Sequence, residues 1–425
     1  MKDTRQEMAD QEIGPSSTIY PKRKPTMPYF KHWLASLGPG IITAALVFGP
    51  SKMTITSKLG ADYGFSLLWI VIFAIFFMAI FTHMGARIGL ATPESLLCVI
   101  RKKWGKISAI IIGLGLFLVA TSFQAGNAIG VGISIAEINN SSVPMWIILF
   151  NVIGIALLFF RGFYKILERL MILLIALMLF SFIVTLFFIK PSFSDMIIGF
   201  IPSLPKGSIS LVIAFFASCF SIVGAFYQSY LVQERKKNKS SADSHRNGSI
   251  TGIIMLGLMS IMVMICAAAV LHVQKLPVNN ASDMARALEP LFGKYASTLF
   301  LVGLFGASFS SLIGNATLGG TLIADAFGFD YQLDAKAVRF FIALVMLFGS
   351  AIAIVFGKLP LELIVFAQSV TIFLVPFIGI AMFVISNDTR IMGNFANTRL
   401  INFFAAIGLI VLIILAISNA NELFF

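Results

Sequence analysis

Apolar runs of about 20 residues recur along the chain, separated by short polar and charged connections. This is the pattern of helices that cross a bilayer. Eleven segments are predicted, at roughly 37–57, 65–86, 107–134, 144–160, 169–189, 208–233, 248–272, 296–324, 338–357, 361–385 and 400–418. The first is interrupted at its centre by Gly49-Pro50-Ser51-Lys52. Proline removes a backbone donor and clashes with the preceding turn, and glycine lowers helix stability. Irregular backbone at bilayer depth is tolerated only where it lines a cavity or is buried in protein. An ionisable residue at that depth marks a functional site. Transporters built from inverted repeats break helices at corresponding positions of their two halves. With five spans per repeat, the partner of segment 1 is segment 6, whose centre holds Ser218, Ser221, Gly224, Gln228 and Ser229. Small-residue helix packing is the competing reading of that stretch. Paired with the break in segment 1, a gated binding site is preferred.

Composition sharpens this picture. With 58% hydrophobic and 12% charged residues over 425 positions, the chain is not a soluble domain. The net charge of +12 does not point to nucleic acid, because Lys and Arg fall between the apolar segments. Their bias toward alternate connections, including Arg101, Lys102, Lys103, Lys106, Arg235, Lys236, Lys237 and Lys239, sets the N-terminus in the cytoplasm. An odd number of spans then leaves the C-terminus outside. Residues 1–33 read as a polar cytoplasmic tail without a cleavable signal peptide, and 34–425 as the transmembrane domain. Its repeats are expected at about 37–189 and 208–385, with an extra helix at about 400–418. The location is a multi-pass protein of a bacterial-type plasma membrane. Cys98, Cys219 and Cys266 and the four histidines are scattered, with no metal spacing, disulfide framework or nucleophile–base pair. Neither a cofactor nor enzymatic activity is expected. The partners are the bilayer and a small-molecule or ion substrate, and the sequence is silent on oligomeric state.

Further residues add a likeness. Gly38-Pro39-Gly40, Pro50, Gly60-Ala-Asp-Tyr-Gly-Phe-Ser-Leu-Leu-Trp69 and Ala86-Arg-Ile-Gly-Leu90 are followed by Pro202-Ser-Leu-Pro205 and Leu231-Val-Gln-Glu-Arg235. Then come Gly306-Ala-Ser-Phe-Ser-Ser311, Pro376-Phe377 and Ile391-Met-Gly-Asn-Phe-Ala-Asn397. Together, from about Gly38 to Arg399, they resemble the NRAMP family of metal transporters. The resemblance implies an all-α integral membrane protein of LeuT-type fold. It has two inverted five-helix repeats plus one additional C-terminal helix, with substrate at the midplane between broken spans 1 and 6.

The resemblance also exposes departures. The family's Asp-Pro-Gly-Asn motif, whose Asp and Asn bind the metal, falls on Gly49-Pro50-Ser51-Lys52. In span 6 the family's Ala-x-x-Met-Pro-His falls on Ser218, Ser221, Ile222 and Val223, while a second register puts Gln228 at the methionine. The family's proton-linked acids in span 3 fall on Ser122 and Ala125, so weak or absent proton coupling is expected, and a span 10 glutamine ligand falls on Leu374. A dication needs anionic or soft ligands, and Lys52 repels it. The substrate-binding candidates are therefore Gly49, Ser51, Lys52, Ser218, Ser221 and Gln228, with no metal ligands among them. The expected cargo is a small anionic or zwitterionic solute. The alternative is a divalent metal cation held in a degenerate or displaced site. A non-transporting sensor is a third, lesser reading, since no soluble signalling domain is appended.

Overall fold

The computed structural model describes residues 43–424, except 46, 161–162, 220, 239–244, 280–282, 284, 286–287, 290–292 and 357–360. The expected tail at 1–33 and the Gly38-Pro39-Gly40 motif lie outside the described residues. Each of the eleven predicted segments carries a helix. Segment 1 supplies helical residues 43–45 and 47, then a break, then α1 (Pro50–Tyr63). There follow α2 (Leu68–Ala91), short α3 (Leu96–Trp104), α4 (Lys106–Asn139), α5 (Val143–Leu157), α6 (Phe163–Ile189) and short α7 (Phe193–Ile198). Segment 6 is divided into α8 (Ile209–Cys219) and α9 (Ile222–Asn238). The chain continues through α10 (His245–Ala267, extended by a π turn), α11 (Lys294–Phe327), α12 (Lys336–Phe356), α13 (Leu361–Asn387), short α14 (Thr389–Met392) and α15 (Arg399–Phe424). Among the described residues, eight helices are long and apolar enough to cross a bilayer unaided. A ninth is reached if a pair bent by 66° after Asn387 counts as one span. Segment 1 lies partly outside the described residues, at 37–42 and 46, and segment 4 falls short of that length because α5 has only 15 residues.

Helix α11 is the axis of the bundle. It packs along α4, α6 and α12, and every residue from Gly306 to Ala326 is buried. Its small residues, Gly306-Ala307-Ser308 through Gly319-Gly320-Thr321, let neighbouring backbones approach closely. At the periphery, α15 exposes Leu400, Phe403, Ile410, Ile414 and Ile417, an apolar outer surface suited to lipid.

The two broken segments are held by close helix contacts. A Cβ at Gly85 of α2 would stand 2.0 Å from the Ala225 carbonyl oxygen of α9, and one at Gly89 would stand 2.3 Å from that of Ser229. The obstacles are backbone atoms, which cannot rotate away. Gly85→Ala is therefore expected to force α2 off α9, costing about 1–3 kcal/mol as overpacking does. It should appear as a lowered unfolding temperature in detergent, with a smaller effect for alanine at Gly115, where the nearest heavy atom would be Leu374 Cδ1 at 3.5 Å, an ordinary contact.

Candidate functional site

The break in segment 1 has a clear bonding logic. Gly49 N–H donates to Val47 O at 3.1 Å instead of one full turn back. Ala45 O thereby loses its helical donor, and the Ser311 and Ser310 hydroxyls replace it at 2.9 and 3.2 Å. Pro50 then starts α1 at a position where its missing N–H is not needed. Its ring packs on α4, where a Cβ at Gly130 would come within 2.8 Å of it. In segment 6, Ser221 caps α9. Its hydroxyl accepts from Gly224 N–H at 3.1 Å, and its carbonyl accepts from Ala225 N–H at 3.0 Å. Two half-helix N-termini, of α1 and α9, thus meet in the middle of the bundle. Each brings the N–H groups of its first turn and a positive dipole end.

Between them lies a cavity of about 50 Å³. Gly49, Ser51, Lys52, Ser218 and Ser221 all line it. Gln228 does not. It is fully buried two turns along α9 and takes the Thr43 hydroxyl hydrogen bond. The helix break therefore coincides with the Ser221 register, and Gln228 belongs to helix packing. Leu374 likewise packs toward Gly115, and Thr371 and Val375 line the cavity from α13 instead. Asn127 of α4, Asn315 of α11 and Thr371 also line the cavity, where the sequence favours interhelical hydrogen bonding over substrate contact for them. Each is a polar residue in mid-span, but its facing depends on helix rotation, which single positions do not reveal. Ser122 is turned to the Val119 carbonyl, 2.8 Å away.

Lys52 is 2% exposed. Its ammonium makes no hydrogen bond to oxygen or nitrogen among the described residues. It sits 6.0 Å from the Phe48 ring centroid and 5.7 Å from that of Phe215, beside the Cys219 thiol. Cation–π contacts contribute about 0.5–2 kcal/mol each, and a neutral thiol is a weak acceptor. Asn127 Nδ2 is also buried without a partner among the described residues. Among the described residues, no carboxylate lines the cavity, and no group of three or more His, Cys, Asp or Glu is placed to hold a metal ion.

One end of α9 is pinned away from the cavity. Tyr230 OH donates to Asp325 Oδ2 of α11 at 2.6 Å and accepts from Leu97 N–H of α3 at 3.2 Å. Arg101 donates to the Asp325 carbonyl at 2.5 Å. Tyr230→Phe leaves the buried Asp325 carboxyl short of a donor. It should cost about 1–3 kcal/mol, read as a lower unfolding temperature.

A family model described as "Natural resistance-associated macrophage protein-like" matches residues 40–420. A divalent metal cation transporter MntH from Chromohalobacter salexigens is 26% identical over 92% of this chain and 91% of its own length. One from Deinococcus radiodurans is 24% identical over 91% and 88%. Among solved structures, the Eremococcus coleocola manganese transporter, in complex with an aromatic bis-isothiourea substituted compound, aligns with a TM-score of 0.74 at 20% identity, covering 94% of this chain and 89% of that one. Mhp1, a nucleobase-cation-symport-1 family transporter, aligns with a TM-score of 0.57 at 13% identity over 91% and 92%. These structures share the LeuT-type fold with this chain.

Proposed function

The chain belongs to the natural resistance-associated macrophage protein-like (NRAMP) family of multi-pass membrane proteins, and from that premise we propose that it is a secondary transporter of a divalent metal cation. The observation that carries the reading is the ion-sized cavity where the two broken helices meet. About 50 Å³ exceeds the roughly 10–15 Å³ that one water-sized body needs. It is far below the roughly 300–1,000 Å³ of pockets for larger ligands. A dehydrated ion and a water or two fit, whereas an amino acid does not. The relatives are named for divalent metal cations. On both counts the metal alternative is better supported than the anionic or zwitterionic solute that the substituted motif suggests.

The available ligands are neutral oxygens, from Ser51, Asn127, Ser218, Ser221, Asn315 and Thr371. In oxygen sites, affinity follows ligand charge count, down to about 10⁻⁴–10⁻³ M, so weak binding of a hard dication is expected. The cytoplasmic N-terminus, the outside C-terminus and the repeat boundaries near 37–189 and 208–385 belong to the same proposal and rest on loop charge and segment spacing.

The test is uptake by the reconstituted protein. Mn²⁺ entry is followed with a trapped fluorescent indicator, alongside radiolabelled carboxylates and amino acids. Saturable Mn²⁺ entry above empty liposomes is expected. Carboxylate or amino-acid uptake with no Mn²⁺ entry would overturn the metal reading.

A further inference from the structure

Among the described residues, the cavity carries two buried donors with no oxygen or nitrogen to donate to. Neither Lys52 Nζ nor Asn127 Nδ2 has an oxygen or nitrogen hydrogen-bond partner among the described residues, both residues are 2% exposed, and both line the same space. A buried ammonium needs a counter-charge or strong acceptors. The Phe48 and Phe215 rings and the Cys219 thiol offset only part of that need. Among the described residues, no acid lines the cavity to supply the rest. The first turns of α1 and α9, helices of 14 and 17 residues, both line the cavity, with Ser51 and Lys52 from one and Ile222 and Val223 from the other, and bring positive dipole ends to it. Lysine, amide and helix-end N–H groups form a donor set for an anion.

We propose that the cavity binds a monatomic inorganic anion of halide size against Lys52 and Asn127, and that this anion takes the electrostatic place of the carboxylate absent at Gly49. Size restricts the class. The space holds roughly three water-sized bodies, enough for one halide and one metal ion side by side. Charge gives the arrangement its sense. With the anion bound, Lys52 no longer presents a net positive charge to an arriving dication, and anion and cation share the site. The transport consequence rests on the metal reading above, whereas the anion site does not.

The experiment separates the two. Purified full-length protein in sodium gluconate is titrated with chloride, bromide and formate while its unfolding temperature is recorded. Chloride binding is followed independently by ³⁵Cl line broadening and its relief by bromide. Saturable stabilisation by chloride and bromide is expected. It should be lost in Lys52→Gln and in Asn127→Asp, which puts a carboxylate where the anion sits. In liposomes, Mn²⁺ uptake in chloride should exceed that in gluconate at least about tenfold. A rise in unfolding temperature shared equally by wild type and both variants, with no line broadening, overturns the anion site. Formate matching chloride overturns its halide character. Chloride binding without Mn²⁺ uptake in either medium supports the site and overturns the metal reading instead. Equal Mn²⁺ uptake in both media overturns the anion's role in transport.

Discussion

Lys52→Asn is expected to raise the apparent affinity for Mn²⁺ at least about thirtyfold in chloride-free medium. Two unit charges about 4 Å apart interact by about 4 kcal/mol at an effective dielectric near 20, and a dication doubles the term. If solvent and the Phe48 and Phe215 rings leave only a quarter of that repulsion, about 2 kcal/mol remains. That is a factor of about thirty in binding. In chloride the gain should shrink, because the bound anion already offsets the ammonium. The variant should also lose its dependence on chloride. The measurement is the half-saturating Mn²⁺ concentration for both proteins in both media. An unchanged value in gluconate would mean that the Lys52 charge is not felt where the cation binds. Asparagine fits readily in the space of the larger lysine, and the backbone carbonyl at position 52 would still accept from the Thr56 hydroxyl at 2.7 Å.

The sequence made the scaffold legible because its signals are local. Segment lengths gave the helices. Pro50 marked the first break, since a proline with no helical donor needs a helix start behind it. The break in segment 6 could be located only by its offset from the first. There the chain has no proline, and the interruption depends on Ser221 capping α9. That is why two registers remained open in the sequence, one with Ser221 and one with Gln228 at the methionine position. The two residues are separated by nearly two helical turns, and only the three-dimensional path shows that one lines the cavity while the other meets Thr43.

Asn127, Asn315 and Thr371 were hidden for a different reason. Each lies among several mid-span polar residues of its helix, and a helix with polar residues on more than one side does not reveal which side is inward. Ser308 returns its hydroxyl to its own helix at 2.7 Å, as polar residues in membrane helices commonly do, whereas the Ser310 hydroxyl is shared between Ala307 O of its own helix at 3.0 Å and Ala45 O of the broken one at 3.2 Å. Ser311 reaches across to the broken helix. Adjacent serines of the same kind thus have different work, set by rotation about α11.

The loss of the carboxylate at Gly49 is more than a missing side chain, and restoring it alone should fail. A Cβ on Gly49 would lie 2.9 Å from Asn127 Oδ1, 3.0 Å from Ser311 Oγ and 3.1 Å from Ser311 Cβ. Gly49 has φ −99°, which any residue can adopt, so space rather than backbone conformation demands the glycine. Moving Ser311 aside would take its hydroxyl from Ala45 O and weaken the cap on the broken helix. Moving Asn127 would reshape the cavity wall. A new carboxylate would also pair with Lys52, occupying the cavity from within. Gly49→Asp alone is therefore expected to lower the unfolding temperature, by the equivalent of about 1–3 kcal/mol for overpacking. It should also reduce Mn²⁺ uptake at least about tenfold. Adding Asn127→Ala gives the carboxylate room, and adding Lys52→Asn frees it to face the cation. The triple variant should regain uptake, at a lower half-saturating Mn²⁺ concentration than wild type, and should be indifferent to chloride. Unfolding curves and uptake for the single, double and triple variants decide it. A Gly49→Asp protein as stable and as active as wild type would show that the room beside Gly49 was never closed.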